Sequence, residues 1–88
     1  MLPPWMKQHA QAFARKLEKD YAGDPAREAH VAVVKEWLRL LDDEKTDREA
    51  AEALKRKASA LPDMGTITLD IRLHIGGCTD EMLRRKDA

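Results

Sequence analysis

A single cysteine, Cys78, is all that 88 residues offer for thiol chemistry. One cysteine excludes an intrachain disulfide framework, and without companions it makes a zinc knuckle a poor reading. A reducing, cytoplasmic home is therefore expected. Net charge is missing as well, since 16 basic residues balance 16 acidic ones. No global field draws this molecule to nucleic acid or to an anionic membrane. Residues 1–23 carry +4 and −2, residues 24–49 carry +5 and −8, and residues 50–88 carry +7 and −6, so only the middle is mildly acidic. No apolar run approaches bilayer length, and Met1-Leu2-Pro3-Pro4-Trp5-Met6-Lys7 lacks the apolar stretch of a signal peptide. Membrane association is not expected. Large apolar side chains are few, because thirteen of the hydrophobic residues are alanine. The expected result is one small helix-rich domain over residues 1–88 with a thin core, in the size range where oligomerisation often supplies missing buried surface.

What the chain does have is helical punctuation. Pro3 and Pro4 suit the threshold of a first helix, in which Met6, Ala10, Phe13, Leu17 and Tyr21 recur on one face. Gly23 stops it, and Asp24-Pro25 restarts the chain as an N-cap with proline at the first helical position. The second helix, to about Leu41, carries the widest apolar stripe: Ala26, Ala29 or His30, Val33, Val34, Trp37, Leu38 and Leu41. Asp42-Asp43-Glu44-Lys45 reads as a polar connector. Thr46-Asp47-Arg48-Glu49 has capping-box spacing and opens a third helix, to about Ala60, with Ala50, Ala53, Leu54, Ala58 and Leu61 inward.

Between Gly65 and Gly77 the pattern changes. Ile67, Leu69, Ile71, Leu73 and Ile75 alternate with Thr66, Thr68, Asp70, Arg72 and His74, the period of a half-buried strand. Gly76-Gly77 reads as the turn that ends it, with Thr79 capping a short last helix. The expected class is α+β: three helices, one amphipathic strand and a short C-terminal helix. No second segment alternates, so the strand is expected to pair between subunits of a homodimer. The register centred on Ile71 sets Asp70 against Arg72 twice, Leu69 against Leu73 and Ile67 against Ile75, whereas its neighbours oppose like charges. Pairing with a short segment near residues 1–4 or after Gly77, or addition to another protein's sheet edge, are the alternatives.

Chemistry-bearing residues are sparse, and no cofactor is called for. Cys78, after two glycines and before a helix start, sits where a thiolate can be stabilised, but an ordinary free cysteine is the simpler reading. His74 and Asp70 are too far apart along a strand to complete a catalytic grouping with it. His9 and His30 lack a second ligand at metal spacing and read as edge-of-core histidines. Trp37 reads as a packing anchor and Trp5 as a binding hot spot. Lys55-Arg56-Lys57 and Arg84-Arg85-Lys86 are the basic clusters. The residues expected at a protein interface are Ile67, Leu69, Asp70, Ile71, Arg72, Leu73 and Ile75. These features suggest a small non-enzymatic interaction module, a homodimeric regulator, adaptor or inhibitor of a larger protein. The alternative is a nucleic-acid-binding regulator using an intersubunit ribbon with Arg72, or Lys55, Arg56 and Lys57.

Overall fold

Proline opens the first helix and glycine closes it. In the computed structural model, which describes residues 2–43 and 48–87 (residues 85–87 by backbone alone), α1 spans Pro4–Tyr21 with Pro4 at its first position. There the missing N–H costs nothing. Ala10 and Ala14 are buried along its inner face, flanked by Met6, Phe13 and Leu17. Gly23, at φ +77°, turns the chain out of the helix. Asp24 then accepts hydrogen bonds from the Arg27 guanidinium at 2.7 Å and the Ala26 N–H at 3.0 Å. These hold its carboxyl below the usual carboxylate range. A single 3-10 turn, Pro25–Arg27, leads into α2, Glu28–Asp42.

The hub is α2, which packs against α1 and both later helices. It buries His30, Val33, Val34, Trp37, Leu40 and Leu41, while Ala26 and Ala29 face solvent. His30 is thus a core residue at 1% exposure, not an edge one. Glu44, Lys45 and the Thr46 and Asp47 of the capping box lie outside the described residues. The third helix, α3, spans Arg48–Ser59. It buries Ala51, Leu54 and Ala58, and Leu61 follows them into the core. Leu54, Ala58 and Leu61 are buried as expected, Ala53 is half-buried, and Ala51 takes the place of Ala50, which is exposed.

The expected strand is not there. Residues 66–75 are the first half of α4, Thr66–Asp87, and among the described residues no strand is present. The α+β class and the Ile71-centred ribbon therefore give way to an all-helical fold of four helices. A lone strand leaves its ladder unpaired, whereas a helix satisfies its backbone within the segment. The alternation itself is compatible with either form. Residues two apart lie about 200° apart around a helix, so alternate apolar residues fall on two opposite faces. Ile71 and Ile75 are fully buried and Ile67 partly so; Leu69 and Leu73 point the other way.

Local signals fix where α4 begins. Gly65 at φ +88° makes the turn, and Asp63 accepts the Gly65 N–H at 3.0 Å. Gly76 and Gly77 do not end anything: the helix runs through both. Its 22 residues span about 33 Å, most of the 40 Å long axis of the molecule. No helix among the described residues is long and apolar enough to cross a membrane.

One polar network is built into the core. The Thr68 hydroxyl accepts the Met64 N–H at 2.8 Å and donates to the Pro62 carbonyl at 3.2 Å. His30 Nε2 lies 2.7 Å from the same oxygen. Because the single hydroxyl proton goes to Pro62, Nε2 carries the imidazole proton, and the buried Nδ1 has no partner. Protonating Nδ1 would create a donor with no acceptor. Burial, together with the nearby Arg27 and Arg72 cations, accordingly pushes the His30 pKa below its ordinary value. The folded chain then resists a proton that the unfolded chain accepts. Stability is fully present above about pH 6.5 and declines as pH falls towards the folded-state pKa. Urea midpoints from pH 7 to pH 5 should fall faster for the wild type than for His30→Gln, by at most about 1.4 kcal/mol per pH unit. Parallel curves would remove His30 as the cause.

Candidate functional site

An apolar residue left outside is more informative here than any polar cluster. The large hydrophobic side chains that stand exposed are Trp5 at 69%, Leu73 at 63% and Leu69 at 55%. Leu69 and Leu73 are one helical turn apart and share a ridge on the outer face of α4. Gly77, exposed, continues that ridge at the next turn, with half-buried Gly76 beside it.

His74 lies between α4 and α1, stacked on Phe13 at 4.0 Å and facing His9 at 6.3 Å. Trp37 of α2 closes the cluster from below, 6.0 Å from Phe13 and 6.4 Å from His74. The His74 Nδ1–H donates to the Asp70 carbonyl at 2.8 Å, which fixes the ring. Leu17 and Tyr21 gather with Ile67 and Ile71 and His9 and Phe13 with His74, so α1 runs against α4, and Trp5, one turn before His9, lies towards the Gly77 end of the ridge. The ridge is apolar and rigidly backed.

The structure divides the expected interface residues. Ile71 and Ile75 are core, Ile67 is partly buried against it, and only Leu69 and Leu73 remain available on the surface. Asp70 is half-buried. Arg72 turns inward and donates to the carbonyls of Ala58 at 3.2 Å, Ser59 at 3.3 Å and Leu61 at 2.5 Å, capping the end of α3. It opposes no Asp70 and reads no groove.

The basic cluster on α3 is exposed. Lys55 pairs with Asp80 at 2.6 Å, and Lys57 pairs with Glu36 at 2.9 Å. Lys55 and Arg56 border an open depression of about 600 Å³ with Glu52, Ser59, Ala60 and Leu83. Local counter-charges thus dilute this cluster's positive field. In the second cluster Arg84 pairs with Glu81 at 2.6 Å, and the Arg85 and Lys86 side chains lie outside the described residues.

Cys78 does not open a helix; it lies inside α4, 6% exposed. Burial pushes its thiol up to about 11, and the Trp37 indole N–H, which has no full hydrogen-bond partner, counters this only weakly. At neutral pH the sulfur stays protonated and packs as a small hydrophobe. Thr79, expected as a cap, instead donates its hydroxyl back to the Ile75 carbonyl at 2.8 Å. Among the described residues, no three of His, Cys, Asp and Glu gather to hold a metal ion.

Sequence reasoning named Leu69, Leu73 and Trp5 but assigned the two leucines to the buried side of a ribbon. The ridge was visible in the spacing of positions 69, 73 and 77, had the segment been drawn as a helix. Comparison with protein-family models, curated proteins and solved structures returns no match.

Proposed function

We propose that the chain is a non-enzymatic protein-interaction module of the regulator, adaptor or inhibitor kind, docking through the outer ridge of α4 with Trp5 at its edge. The observation that carries this reading is the placement of Trp5, Leu69 and Leu73. Three large apolar side chains stand in water on two adjoining helices, in a molecule short of such residues for its own core. Grouped exposed hydrophobics of this kind mark contact surfaces, and tryptophan is favoured among residues that dominate binding energy. The rigid backing helps, because side chains already held in place lose less freedom on binding.

A tagged wild-type chain and its Leu73→Glu variant, used as baits in lysate of the native host, test the reading. Leu73 is exposed, so the variant should keep its fold and far-UV spectrum. The expected result is a set of proteins retained by the wild type, lost with Leu73→Glu and kept by a control Lys35→Glu on the exposed face of α2. Identical capture by all three baits would exclude the ridge as the docking surface.

A further inference from the structure

Two adjacent glycines inside a helix are costly, each by about 1 kcal/mol relative to alanine. Nothing in this chain requires them. A Cβ at Gly76 or Gly77 would meet no atom within 4 Å, so neither permits a close approach within the monomer, and neither has positive φ. The glycines leave a notch on the outer face, next to two exposed leucines, and a closely approaching helix from outside gives that notch a use.

We infer that this helix is α4 of a second copy, packed antiparallel about a two-fold axis at Leu73; the inference rests on the interaction reading above and names its partner. In an antiparallel pair centred on Leu73, residue i faces residue 146 − i. Leu73 then meets itself, and each Leu69 enters the notch at the other copy's Gly77. Thr66 faces Asp80, so a carboxylate lies at the positive end of the partner helix in both directions. The Asp80 side chain is 61% exposed, and its existing pair with Lys55 leaves it accessible. Centring on Gly77 instead sets Leu73 against Glu81. Centring on Leu69 strands Asp80 beyond the start of the partner helix. Of these three centrings, the one at Leu73 sets apolar against apolar and a carboxylate at the partner helix's start.

A stable pair needs about 800 Å² from each copy, roughly one-seventh of the 5573 Å² that the chain exposes. A helix running most of the molecule's length, with Trp5 on one flank, has that extent.

Sedimentation equilibrium of the purified full chain, from 5 to 500 µM, tests the pairing. The expected result is a dimer for the wild type and association weakened by about a hundred-fold or more in both Leu73→Glu and Gly77→Leu. Gly77→Leu separates the explanations. It fills the notch and breaks the dimer, yet improves helix propensity, so the melting temperature of the monomer should rise by about 4 °C. In Leu73→Cys a thiol-bridging reagent about 8 Å long should join two copies. Leu69→Cys alone should not react with itself, because the two sites lie about 12 Å apart along the axis; a mixture of Leu69→Cys and Gly77→Cys should. Wild type and its buried Cys78 supply the unreactive control. A monomer across the whole range overturns the pairing; if lysate capture still depends on Leu73, the ridge remains a docking surface for a foreign protein. A dimer that survives both Leu73→Glu and Gly77→Leu, or cross-linking of Leu69→Cys to itself, overturns it too.

Discussion

Trp37→Ala should lose about 4 kcal/mol of unfolding free energy, the largest single effect expected in this chain. A domain of 88 residues has in all about 4 to 13 kcal/mol to lose. Trp37 is fully buried at 0% exposure, and its ring is the floor on which Phe13 stands edge-on at 6.0 Å, with His74 at 6.4 Å. Three helices meet there, so the cavity cannot close by moving one side chain. Smaller bulk should cost less in proportion: Trp37→Phe removes an indole N–H that has no full hydrogen-bond partner, and should lose about 1 to 2 kcal/mol. Urea titration followed by circular dichroism reads both. Equal losses for the two variants would mean that the indole nitrogen, not the ring volume, carries the effect.

The first helix and the restart at Asp24-Pro25 stand where punctuation announced them, the restart as a 3-10 turn that leads into α2. Pro4, Gly23 and the Asp24-Pro25 step work through local backbone geometry, and such signals survive whatever the rest of the chain does. The start of α4 is also local, but its Asp63 and Gly65 read equally well as the entry to a strand. The error at residues 66–75 has a different origin. A period of two contains a period of four, so the isoleucines at 67, 71 and 75 satisfy a helix as well as a ribbon, and the β-branched residues tilt a local reading towards the ribbon. What decides is non-local: α4 packs against α3 and α2 with Ile71, Ile75, Cys78 and Thr79 buried on one side of a helix, and among the described residues no second strand is present to complete a ladder. The same misreading turned Gly76-Gly77 into a stop and Cys78 into a helix-start thiol. It also hid the ridge, since in a ribbon Leu69 and Leu73 share the face of Ile71, whereas in the helix they oppose it. His30 and Thr68 were not legible as a pair, because their 38-residue separation carries no local sign.

Arg72 shows how completely the change of secondary structure alters a residue's role. As a strand residue it would offer charge to a partner, and its loss would weaken association. As built, its guanidinium gathers the carbonyls of Ala58 and Ser59 in the last turn of α3 and of Leu61 just beyond it, where the helix end leaves acceptors short of donors. Hydrogen bonds from a charged donor are worth more than neutral ones. Arg72→Ala should therefore lose about 3 kcal/mol, read as a shift of the urea midpoint with an unchanged slope. Arg72→Lys should recover less than half of that, because an ammonium cannot span three carbonyls as the planar fork does. Leu73→Ala, one residue along the same helix but facing water in the monomer, should stay within about 0.5 kcal/mol of the wild type when titrated below the concentration at which copies pair. An Arg72→Ala loss as small as that of Leu73→Ala would show that the α3–α4 turn is held by Thr68 and Asp63 without the arginine.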